Sequence, residues 1–132
     1  MQYNEFIGQV HNRAEMATTQ DAVAATRAVL QTLAERLMED VAENLAAQLP
    51  QELQGYLDTE THAERFSLDE FFTRVAAYES VDLPKAAYHA RVVTEVLDEA
   101  TTPGIMEEVR GQFPATYASL FEAGSEGDME TG

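Results

Sequence analysis

Asn4-Glu5-Phe6-Ile7-Gly8-Gln9-Val10 returns 65 residues later as Asp69-Glu70-Phe71-Phe72-Thr73-Arg74-Val75. Two further matches stand at an offset of 64: Arg27-Ala28-Val29 with Arg91-Val92-Val93, and Gln48-Leu49-Pro50 with Gln112-Phe113-Pro114. Self-similarity at a fixed period marks a repeat architecture. A unit of about 60 residues buries only about 60% of its unfolded surface and is marginal alone. The two copies are therefore expected to share one core.

Outward from these anchors the apolar spacing is helical. Phe6, Val10 and Ala14, behind Asn4 as a cap, predict a helix over about 5–16. Thr18 with Asp21 three residues on reads as a capping box. It opens a long helix to about Leu37, with Val23, Leu30, Leu33 and Leu37 inward. A third helix covers about 39–48. Pro50 cannot continue it but suits the first turn of a short fourth helix to Leu57. Residues 58–66, Asp58-Thr59-Glu60-Thr61-His62-Ala63-Glu64-Arg65-Phe66, lack an apolar period and read as a polar linker. The second copy opens with Ser67-x-x-Glu70, a capping box. Asp82 with Pro84 and Thr102 with Pro103 start two more helices, and Pro114 restarts the chain for a last short one. No segment alternates apolar and polar residues over a strand's length.

The expected fold is all-α: two tandem helical repeats of about four helices each, packed with pseudo-two-fold symmetry into one domain over 1–121. Repeat one spans about 4–57, the linker 58–66 and repeat two about 67–121. The glycine- and acid-rich residues 122–132 are expected to be a disordered acidic tail.

These residues also carry a resemblance. Phe6 and Val10, Ala28-Val29-Leu30, Arg36-Leu37 and Ala47-Gln48-Leu49-Pro50 form one pattern. Phe71 and Val75, Val92-Val93 and Gln112-Phe113-Pro114 repeat it more weakly, with Thr94 where Leu30 stands and Gly111 where Ala47 stands. Over about residues 4–121 the chain resembles the family catalogued as domain of unknown function 2267. The resemblance implies a helical, internally duplicated fold. It brings no established activity and no catalytic residue.

Composition narrows the function classes. Apolar residues make up 45% of the 132, enough for a packed interior. There is no cysteine, which excludes disulfides, thiolate metal sites and a cysteine nucleophile. The opening residues lack the basic region and apolar run of a secretory signal. No stretch reaches the ~18 apolar residues of a membrane span. A cytoplasmic protein that does not enter membranes is expected. Acidic residues number 24 against 8 basic, a formal net charge of −16, and Lys85 is the sole lysine. Seven scattered arginines make no basic face for phosphate, so direct nucleic-acid binding is not expected. The acidity itself has three readings: solubility, adaptation to a salt-rich cytoplasm, or a docking surface for a basic partner.

Candidates for chemistry are few. Glu60, His62 and Glu64 alternate on a linker, where residues two apart share no helix face, so a solvated segment outweighs a metal site. His11 and Glu15, four apart, read as an ordinary side-chain pair. Serines lie in no nucleophile elbow, and the glycines are isolated, without a phosphate loop or dinucleotide fingerprint. Gln48 and Gln112 read as helix-end residues near free backbone groups. Arg27 and Arg91, at matched places on the two long helices, could frame a bidentate anion site with His89 close in sequence. No catalytic residue, metal or cofactor is assigned.

The leading expectation is a non-enzymatic helical module that binds a protein or itself, with Arg27, Arg91 and the tyrosines Tyr3, Tyr78, Tyr88 and Tyr117 as residues to watch. The alternative is a small-anion or ligand-binding protein with a pocket at the repeat interface, lined by Arg27, Arg91 and His89. A second alternative is an acidic regulator that occupies a basic partner.

Overall fold

A computed structural model describes residues 1–122. Residues 123–132, almost all of the expected tail, lie outside them, and Glu122 closes the last helix. The described residues form eight α-helices and no strand: α1 Tyr3–Arg13, α2 Thr19–Arg36, α3 Glu39–Ala47, α4 Gln51–Gln54, α5 Leu68–Glu79, α6 Leu83–Ala100, α7 Pro103–Arg110 and α8 Ala118–Glu122. Single 3-10 turns, Gly55–Leu57 and Ala115–Tyr117, extend α4 and precede α8.

The caps set the helix boundaries. Thr18 Oγ1 accepts from the Asp21 N–H at 3.1 Å, and Asp21 reaches back to the Thr18 N–H at 3.3 Å. This is the reciprocal box its spacing predicts. Ser67 accepts from the Glu70 N–H, but the Glu70 carboxylate turns to Arg74 Nε at 3.0 Å instead of reaching back. Asp82 accepts from the Lys85 N–H, with Pro84 in the first turn of α6. One expectation shifts: α1 starts two residues early, because Glu5 accepts from the Gln2 N–H and makes Gln2, not Asn4, the cap.

One apolar core holds the helices together. Phe6 and Phe71 are fully buried, and so are Leu30 and Leu33 of α2, Leu37 just after it, and Val92, Val93, Val96 and Leu97 of α6. Each such side chain contributes about 1.5–3 kcal/mol by leaving water. The two 18-residue helices α2 and α6 pack on each other, and each also packs on α1 and α5. The third helices, α3 and α7, meet at one end. There Asn44 Nδ2 donates to Glu108 Oε1 at 3.1 Å.

Two glutamines cross between the halves at that end. Gln48, after α3, accepts from the N–H of Thr102, the cap of α7, at 2.9 Å, and donates to the Thr102 hydroxyl at 3.1 Å. Gln112, after α7, accepts from the N–H of Met38, the cap of α3, at 2.8 Å. Each supplies an acceptor to a helix start whose own cap side chain supplies none. The sequence places these glutamines at helix ends; the structure gives them N–H groups of the opposite half as partners.

The linker is exposed or half-buried along its whole length, as its polarity implies, but its backbone is docked. The Ala63 N–H donates to Leu37 O at 2.8 Å and the Glu64 N–H to Glu35 O at 2.9 Å, while His62 Nδ1 lies 2.8 Å from Ala34 O. These are carbonyls at the end of α2 that have no intrahelical partner, and the segment satisfies them. Arg36 adds a second clasp. It donates to Phe66 O and stands over the rings of Phe66, Phe113 and Tyr117, while the Tyr117 hydroxyl donates to the same Phe66 carbonyl.

Candidate functional site

α2 presents one face to solvent. Gln20, Ala24, Arg27 and Gln31 recur at helical spacing along it. With Val23 and Ala28 they form the floor of an open cavity of about 540 Å3, walled by Tyr56 and Tyr78. Val23, expected in the core, is only half-buried here. A second cavity of about 420 Å3 continues past Arg27, Gln31 and Tyr56 to Glu35, Asp58 and Glu60. Together they make one groove, aromatic in the middle and acidic at the linker end.

Three contacts position its walls. The Arg27 guanidinium sits 5.9 Å from the centre of the Tyr56 ring, a cation–π geometry. The Tyr78 hydroxyl donates to Glu35 Oε2 at 2.7 Å. Glu35 is buried and its other oxygen takes Arg74 Nη1 at 3.0 Å. Arg74 also bonds Glu64 and Glu70 and lies 3.9 Å above the Phe66 ring. Burial, and then the bond to Glu35, pushes the Tyr78 phenol up to about 12. Arg74 holds the Glu64 carboxyl below its usual range. A buried acid that is fully bonded in this way is a rigid support.

A separate cavity of about 450 Å3 lies where the α1–α2 and α5–α6 junctions meet. Ala14, Glu15 and Met16 come from the first junction, Asp21 and Ala24 from α2, Glu79 from the end of α5, and Lys85, Tyr88 and His89 from α6. Arg13 closes one flank through Glu95 at 2.8 Å and Glu99 at 2.7 Å, tying α1 to α6 and holding the Glu99 carboxyl low. The Tyr88 hydroxyl donates to Arg13 O at the end of α1. His89 Nδ1 pairs with Glu79 Oε2 at 2.5 Å, and the Glu79 side chain is only 3% exposed.

The structure thus separates the three candidate residues. Arg27 is exposed in the α2 groove, Arg91 is half-buried on α6 over the Phe72 ring at 5.8 Å, and His89 lines the junction cavity. Neither cavity lined by Arg27 is lined by Arg91 or His89. Tyr78, on the watch list, joins Arg27; Tyr88 joins His89. Sequence reading missed Glu79, Lys85 and Tyr56. Glu79 and His89 are ten residues apart across a turn, a spacing that no helical rule connects. Nor do Glu60, His62 and Glu64 gather as a metal site: His62 meets Ala34 O and Glu64 meets Arg74. Among the described residues no group of three His, Cys, Asp or Glu is placed to hold a metal ion, and no helix is long and apolar enough to cross a membrane.

Comparison with curated proteins gives no match. Over residues 3–120 the sequence matches the family described as Uncharacterized conserved protein (DUF2267), and the chain belongs to that family.

Proposed function

We infer that the chain is a non-enzymatic binding module whose recognition surface is the groove on α2, and that its occupant is a basic amphipathic helix of another protein. The observation that carries this reading is the convergence of exposed Arg27 with Tyr56 and Tyr78 on one open groove. Tyrosine and arginine dominate binding energy at protein interfaces, and a small-residue floor between aromatic walls suits a helix laid in a groove. The acidic end at Asp58 and Glu60, on a chain of net charge −16, favours a basic occupant over a second copy of this chain. The idea of an acidic regulator of a basic partner is absorbed in this reading.

The duplicated, pseudo-two-fold architecture has support in the exchanged contacts. Gln48 with Thr102 and Gln112 with Met38 are the same bond seen from each half, and Asn44 faces Glu108 at matched positions. Likewise α1 packs on α6 as α5 packs on α2. The groove does not follow this equivalence, because Arg91, matched to Arg27, is half-buried over Phe72. A single occupant per chain fits that difference. An anion clamped between Arg27 and Arg91 has less support, since the cavities along Arg27 exclude Arg91.

Titration of the 15N-labelled chain with a synthetic amphipathic helix bearing lysine and arginine, against the same helix bearing glutamate, tests the reading. Saturable shifts at Gln20–Gln31, Tyr56 and Tyr78 with the basic helix alone are expected, weakened in Tyr56→Ala, which removes an aromatic wall of the groove. Shifts spread over the surface, or equal for both helices, overturn it. Light scattering at low and multimolar salt separates a self-associating chain from a monomer that awaits a partner.

A further inference from the structure

The junction cavity holds a carboxylate that stability alone does not explain. Glu79 is the last residue of α5, where the helix dipole is negative and an acid is unfavourable. It is buried at 3% exposure, and only Oε2 is bonded, to His89. Oε1 has almost no solvent exposure and no hydrogen-bond partner. A buried carboxylate oxygen left unmade costs more than a neutral group would, and such an orphan calls for a missing partner.

We propose that the junction cavity is a binding site for a small organic cation, an alkylammonium or guanidinium compound, whose N–H groups bond Glu79 Oε1. Charge favours this class. The ionisable groups that line the cavity beside His89 and Tyr88 are the acids Glu15, Asp21 and Glu79 and one base, Lys85. The C-terminal end of α5 adds negative potential at Glu79 itself. An aromatic wall at Tyr88 suits an alkylated cation. A bare metal ion is the poorer fit, because no third ligand joins Glu79 and His89 among the described residues. About 450 Å3 is within the range of small-molecule sites. Since Oε1 lies under the surface, the ligand's donor reaches it by displacing a wall side chain, an adjustment common on binding.

The site is built from residues that the repeat does not share. At the α1 offset of 65, Glu79 answers to Ala14; at the α2 offset of 64, His89 answers to Ala25. The pair belongs to one half only, so it is not a by-product of duplication.

The test titrates the whole 15N-labelled chain with n-butylamine, putrescine and agmatine, with butyrate and butanol as charge controls. Saturable shifts centred on Glu79, Val81, Tyr88 and His89 with the cations alone are expected. Glu79→Gln should weaken cation binding about tenfold or more, the loss of a charged hydrogen bond. Lys85→Ala, on an exposed position, should tighten it several-fold by removing a like charge. If Glu79→Gln does not fold, the wild-type titration and Lys85→Ala still decide. No saturable shift with any cation, butyrate binding in their place, or cation binding unchanged in folded Glu79→Gln or Lys85→Ala would each overturn the proposal.

Discussion

The two ends of the molecule differ in how they use residues that the sequence matches at offsets of 64 and 65. At the α3–α7 end the halves act alike: Gln48 serves Thr102 as Gln112 serves Met38, and Asn44 meets its counterpart Glu108. At the junction end they diverge: Glu79 and His89 stand where the first half has Ala14 and Ala25. The matched end spends its polar groups on closing helix termini. The unmatched end leaves a buried oxygen without a partner. At these two ends, the glutamines found in both halves close helix starts, whereas Glu79 and His89, found in one half, line a cavity.

The contrast can be broken most forcefully in the core beneath both ends. Phe6→Ala and Phe71→Ala should each lose about 3–5 kcal/mol, as cavity-forming phenylalanine deletions do, with the two costs similar in urea unfolding. A large inequality would mean that the halves are not equivalent even at their anchors. At the junction end the expectation reverses sign. Replacing the pair together, Glu79→Met with His89→Leu, should leave stability unchanged or raise it by up to about 4 kcal/mol, because apolar side chains shed the desolvation cost of a buried pair. A marked loss in thermal melts would show that the pair is a structural clasp.

The matched end sharpens the contrast at a smaller scale. Gln48→Ala and Gln112→Ala should each cost about 1 kcal/mol, the usual price of a lost cap. A double variant that loses far more than the two combined would show that the crossings act as one unit. The smallest effect is spectroscopic. The Tyr78 phenol is raised to about 12 in the folded chain from 10.0. Its contribution to stability is therefore complete below about pH 10 and is lost as pH climbs toward 12. Absorbance at tyrosinate wavelengths should show a late-ionising group that Tyr78→Phe removes.

The anchors were legible because burial leaves a spacing: Phe6 with Val10 and Phe71 with Val75 fall on one helical face, and all four are buried. Thr18 with Asp21 was legible because a capping box is a local geometry written in two letters. Residues 58–66 are exposed or half-buried, as their polarity implies, but the docking of their backbone was not legible, because it rests on carbonyls of α2, backbone groups with no sequence signature. Arg27 and Arg91 were legible as a matched pair but not as separate environments. Equivalent positions in two similar stretches of sequence need not line one cavity: the cavities along Arg27 do not include Arg91. Glu79 and His89 escaped for the converse reason: their meeting depends on the left-handed Ser80 that turns α5 into α6, a tertiary fact that pairwise spacing does not encode.

The segment that straps the end of α2 has a kinetic consequence. The amides of Ala63 and Glu64 donate to Leu37 O and Glu35 O, so they exchange with solvent more slowly than a free loop, each time the strap lifts from the end of the long helix. By composition the stretch is a tether between halves; by its hydrogen bonds it is a strap on the end of α2. A protease that probes residues 58–66 would meet exposed side chains on a backbone partly tied to α2, and cleavage at Ala63–Glu64 would first have to break those ties.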